Sequence, residues 1–176
     1  QLRELKDRDA HTGLFNRKYF MNLLEEAVLE AGSGKSHQAV LLLEPDQIEQ
    51  RVRSLGLNFA DSMVVEFANR LATLVGDDGE CCHYRDHSLA VLCNDSGFEK
   101  TQALTDRLHK AFDNILLDIE DQSITFSVCI AAVQITEQNA SMPDILSSAT
   151  RLLQSMEGLG GNRYDVFDPD AEDRAD

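Results

Sequence analysis

Positive charge is scarce in this chain. Sixteen Lys and Arg face thirty-one Asp and Glu, a formal net charge of −15 at pH 7. That balance argues against a nucleic-acid backbone or an anionic membrane as partner, since both are bound through clustered cations. No apolar run approaches the ~20 residues that span a bilayer, and no secretory leader opens the sequence. The four cysteines lack the paired C-x-x-C knuckles of structural zinc sites. Cys81, Cys82, His83, His87 and Cys93 form the densest group, yet neighbours on a strand point to opposite faces. They read as buried, reduced thiols, and the expected compartment is the cytoplasm. Internal repeats are also lacking.

What is present suits one folded domain with short appendages. A chain of 176 residues, 43% hydrophobic and 27% charged, buries roughly 70% of its unfolded surface and needs no staples. Residues 1 to 8 are charged, with leucines at Leu2 and Leu5, and read as the end of a connecting helix arriving from upstream. The spacing of Phe20, Leu23, Leu24, Ala27 and Val28 predicts a helix over 16 to 31, stopped by Gly32 to Gly34. Ala39 to Leu43 is a continuous apolar run suited to a buried strand, closed by Pro45. A second helix is predicted from Asn58 to Val75, stopped by Gly76.

Two short strands, Glu80 to Tyr84 and Ser88 to Cys93, predict a hairpin whose turn is not one of the favoured two-residue types. Ser96 and Glu99 have capping-box spacing before a helix carrying Leu104, Leu108 and Phe112. Alternation from Ile124 to Ile130 predicts a further strand. Ser141 and Pro143 open a last helix that ends at Gly158, and Tyr164 to Phe167 is a short final strand. Residues 168 to 176 are mostly acidic and read as a linker. The fold class is α/β: a single mixed sheet with a β-hairpin and helices on both faces.

Local chemistry offers few candidates. Glu44 and Asp46 sit just past a buried strand, where oxygen ligands would suit Mg²⁺, with a solvated turn around Pro45 an equally weighted alternative. Gly158 to Gly161 reads as a helix stop rather than a phosphate cradle, because no helix follows it.

Asp9-Ala10-His11-Thr12-Gly13-Leu14-Phe15-Asn16-Arg17 resembles the D-x-L-T-G-L-x-N-R signature that opens GGDEF domains, the diguanylate cyclase family. Among its defined positions only His11 departs. Leu43 to Asp46 resembles the D-x-D strand end, Gly56 and Asp61 the G-H-x-x-G-D segment, Ser127 to Ala131 the S-I-G-V-A strand, and Gly160 to Arg163 the closing G-R-N-R. The likeness spans about residues 9 to 167.

The resemblance implies cyclic di-GMP synthesis from two GTP molecules held by facing protomers with divalent metal, and the residues for that chemistry are altered. The signature pentapeptide is replaced by Arg85, Asp86, His87, Ser88 and Leu89. Side chains at Arg85 and Asp86 fill space that glycines leave to the nucleotide, and Ser88 cannot replace a metal-binding carboxylate. Glu49 and Glu157 stand where the family carries phosphate-binding lysines. Val52 replaces an Asn that reads guanine, while its companion Asp61 remains. Gly76 to Gly79 replaces the product-binding R-x-x-D.

The reading is therefore a catalytically inactive, GGDEF-like regulatory domain that relays signal or mediates assembly. No cofactor and no metal are expected, with Glu44 and Asp46 vestigial ligands and Asp61 a vestigial nucleotide contact. Implied partners are a sensory domain upstream, an EAL domain downstream and a second copy of the chain. The segment Leu5 to Asp9 is similar to the lead-in of a tandem GGDEF–EAL effector of type IV pilus or motility control. The alternative is a domain that binds GTP without turnover and regulates an adjacent EAL domain.

Overall fold

The structure, a computed structural model, describes residues 6–34, 37–113 and 115–171. The chain comes in along one edge of the sheet. Phe15 N–H donates to the Cys81 carbonyl (3.1 Å) and the Phe15 carbonyl accepts from His83 N–H (3.0 Å). Asn16 then caps α1 (Arg17–Gly32), its side-chain oxygen accepting from Tyr19 N–H at 2.9 Å.

Next come β1 (Gln38–Pro45), α2 (Ile48–Leu55), α3 (Leu57–Val75), the hairpin β2 (Gly79–His83) and β3 (Leu89–Cys93), and α4 (Phe98–Asp113). A small hairpin of β4 (Leu117–Ile119) and β5 (Gln122–Ile124) precedes β6 (Val128–Ile135), α5 (Met142–Gly158) and β7 (Tyr164–Phe167). The five-stranded sheet runs β2-β3-β1-β6-β7, antiparallel except for the β6–β7 pair. The α/β class and the single mixed main sheet are as the sequence implies.

Burial explains the layers. Leu41, Leu43, Val91, Ile130 and Ala132 point to one face, under Phe67 and Leu71 of α3 and Leu108 and Phe112 of α4. Val40, Leu42, Ala90, Leu92, Ala131 and Val133 point to the other, under Phe20 and Leu24 of α1 and Ile145, Ala149 and Leu153 of α5. Each fully buried side chain of this size contributes roughly 1.5–3 kcal/mol. Cys81 and Cys82 fall in opposite layers, as strand alternation requires. All four cysteines are free thiols. Burial, first among the causes, pushes each up to about 12, so none is a reactive thiolate at neutral pH.

Several expectations are corrected. The strand placed at Ile124 to Ile130 is really Val128–Ile135, buried on both faces, whereas Gln122–Ile124 belongs to the small hairpin. Ser96 does not cap α4: Thr101 N–H bonds the Gly97 carbonyl, and the buried Ser96 hydroxyl meets the Thr101 hydroxyl at 2.6 Å. Pro45 does close β1, pairing with Val128 as the last residue of the strand. Helix α2 was not expected, because only Ile48 of its eight residues is buried. Residues 1–5 of the upstream helix and 172–176 of the acidic linker lie outside the described residues. No helix among the described residues is long and apolar enough to cross a membrane.

Candidate functional site

The site lies where β1 ends. Strand pairing places Glu44 opposite Cys129 and Pro45 opposite Val128, and Gln47, at φ 58°, turns the chain into α2. The turn, the first half of α2 and the end of α5 enclose a cavity of about 320 Å³ lined by Glu44, Asp46, Glu49, Arg53 and Glu157. A neighbouring pocket of about 220 Å³ joins Glu44 and Glu157 to Tyr84, Arg85 and Ser88 of the hairpin turn.

Carboxylates dominate this corner. Burial, then the charge of Glu157 and a hydrogen bond shared with it, then the charge of Glu49, push the Glu44 carboxyl up to about 7 against the Arg85 guanidinium. A carboxyl with a pKa near 7 is partly protonated at neutral pH. The oxygens of Asp46 are taken by the chain. Oδ2 accepts from the Ser127 hydroxyl at 2.5 Å and from Asn162 N–H at 2.7 Å, and Oδ1 accepts from the Cys129 thiol at 3.3 Å. Gly161, at φ +76°, packs so closely that an added Cβ would lie 2.6 Å from Asp46 Oδ1. Asp46 thus ties the turn after α5 to the root of β6.

The remaining candidates scatter. Asp61, exposed on α3, lies by a third cavity of about 270 Å³ with His11, Asp118 and Glu120. Its backbone carbonyl accepts from His11 Nε2 at 3.0 Å. Val52 packs against the core. Arg85 and Asp86 are exposed, and the turn closes with Ser88 N–H donating to the Arg85 carbonyl at 3.2 Å. His87 is half-buried, and Leu89 is a core residue paired with Leu43 and His83. Behind the turn, His83 Nδ1 lies 2.8 Å from Asp9 Oδ2. Burial raises the Asp9 pKa, but hydrogen bonds from Thr12 and His83 outweigh it and lower the pKa overall. Ser127, Cys129 and Asn162 fall in segments that the family likeness marked, but nothing in the sequence paired them with Asp46, and Arg53 carried no signal. Among the described residues, no group of three His, Cys, Asp or Glu side chains is placed to hold a metal ion.

Comparison with known proteins now adds the family. The family model "Diguanylate cyclase, GGDEF domain" matches residues 6–163. The chain belongs to the GGDEF family of cyclic di-GMP signalling. It is 24% identical over 168 residues to the probable diguanylate cyclase DgcT of Escherichia coli, covering 94% of this chain and 37% of that protein. It is also 24% identical over 169 residues to the oxygen sensor protein DosP of Escherichia coli, covering 96% of this chain and 20% of that one. The chain thus spans between a fifth and two fifths of these curated relatives. Among solved structures, the FimX GGDEF domain of Pseudomonas aeruginosa superposes with a TM-score of 0.85 at 23% identity, covering 90% of this chain and 98% of that domain. Diguanylate cyclase SiaD of Pseudomonas aeruginosa, solved with its activator SiaC, gives 0.86 at 15% identity, over 94% of this chain and 64% of that one. These likenesses establish the fold.

Proposed function

We propose that this domain is a catalytically silent GGDEF module that relays signal or mediates assembly between neighbouring domains of a cyclic di-GMP signalling protein. The observation that carries the reading is the gathering of Glu44, Glu49 and Glu157 around one cavity at the end of β1. A triphosphate seated there would meet three carboxylates, Glu44, Glu49 and Glu157, against two guanidiniums, Arg53 and Arg85, with no lysine among the lining residues, and like charges this close repel. The donor set does not suit a divalent ion either. Asp46 is engaged by Ser127, Cys129 and Asn162, and Ser88 offers no carboxylate.

Sensory and EAL domains in the same chain, a pairing of two copies and a role in pilus or motility control fit this reading. The test is incubation of the purified protein with GTP and Mg²⁺, with the products separated by chromatography. No cyclic di-GMP is expected, and sustained synthesis overturns the proposal. GTP binding without turnover, read by calorimetry, would select the nucleotide-sensing alternative.

A further inference from the structure

Beside the hairpin turn, this acidic protein gathers guanidinium groups. Arg17 from the first turn of α1, Arg85 from the turn and Arg151 from the middle of α5 line one open cavity of about 670 Å³. The Tyr84 ring forms its floor. The Arg17 guanidinium stands over that ring at 4.7 Å and that of Arg85 at 5.5 Å from the centroid. Both cations are thus held beside the same aromatic ring. Among the described residues, none of the three side chains forms a hydrogen bond within the chain or an ion pair within 4 Å. Three carboxylates stand nearby: Asp144 on the same wall, and Glu44 and Glu157, which share the adjoining pocket with Arg85.

We propose that this groove is a binding site for a small phosphate-bearing ligand, separate from the acidic corner at the end of β1. Forked guanidinium groups match phosphate oxygens two at a time. Three of them around one concavity suit a ligand that concentrates two or more negative charges within a few ångströms, which a single carboxylate does not. The volume lies within the range of small-molecule sites, roughly 300–1,000 Å³. Arg85 contributes here while occupying a signature position, so the substitution that fills the nucleotide's place also supplies a cation to its neighbour.

Calorimetry with inorganic pyrophosphate, and with GTP and cyclic di-GMP in separate titrations, tests the site. Saturable pyrophosphate binding is expected. Arg17→Gln and Arg151→Gln, both exposed substitutions, should each weaken it roughly tenfold or more without moving the melting midpoint, while Arg70→Gln, exposed on α3, leaves it unchanged. A nucleotide binding more tightly than pyrophosphate and weakened by the same two variants assigns the groove to nucleotides; equal affinity assigns it to free phosphates. No heat with any of the three, or binding indifferent to both arginine variants, overturns the proposal. Cyclic di-GMP synthesis would instead refute the silent-domain reading and leave this one standing.

Discussion

Replacing Asp46 by alanine separates a structural carboxylate from a metal ligand. Asp46→Ala removes the acceptor for the Ser127 hydroxyl, Asn162 N–H and the Cys129 thiol. Hydrogen bonds to a charged group are each worth roughly 1.5–3 kcal/mol, but Asp46 is only half-buried and water replaces part of what is lost. A net cost of about 3 kcal/mol follows, or roughly 6–12 °C in melting midpoint for a domain of this size. The assay is a thermal melt monitored by circular dichroism without Mg²⁺, so no ligand contributes. Gly161→Ala supplies the cross-check, since its cost combines a left-handed backbone with a Cβ 2.6 Å from Asp46 Oδ1. In the Asp46→Ala background that collision disappears, so the double mutant should be more stable than the summed costs predict, by at least about 1 kcal/mol. An Asp46→Ala protein that melts with the parent, or strictly additive costs, would refute the reasoning.

Stability should also respond to pH through Glu44. Its folded-state pKa of about 7 lies above the ordinary 4.5, so the native state holds a proton that the unfolded chain releases, and stability falls as pH rises between those values. Glu44→Gln should flatten that segment of a melting-midpoint profile relative to the parent, and unchanged curvature would count against it. Phe67 packs edge-on to Phe112 at 5.0 Å and Phe126 at 5.5 Å; Phe67→Ala should cost about 3–5 kcal/mol in denaturant unfolding. Rebuilding the family signature with Arg85→Gly, Asp86→Gly, His87→Asp, Ser88→Glu and Leu89→Phe should yield no cyclic di-GMP, because Glu49, Val52 and Glu157 remain. Product detected by chromatography would show that the turn alone sets activity.

Helix boundaries were legible where local chemistry decides them. Asn16 caps α1, Ser141 with Pro143 opens α5, and Gly76 ends α3. Helix α2 escaped because it faces water on most sides and follows a left-handed residue, Gln47, that no periodicity announces. Strand β6 was framed too early because Ile124, Phe126 and Val128 alternate by accident of two neighbouring structures. The acidic corner shows a different limit. Glu44, Glu49 and Glu157 come together only through the return of α5, so family likeness brought them together where local sequence left the turn ambiguous. The clasp of Asp46 on Asn162, 116 positions away, had no trace in the chain.

The path of the backbone gives the domain a mechanical character. Residues 15 and 16 ride on β2 at one margin of the sheet, and the chain departs from β7 at the other. Strands lie about 4.8 Å apart, so five lateral steps separate arrival from departure by roughly 24 Å. Every row between the two margins is a ladder of interstrand pairs, so one margin cannot shift without the other. The domain is built as a stiff crossbar, with the Asp9–His83 contact as its bolt at the arriving side.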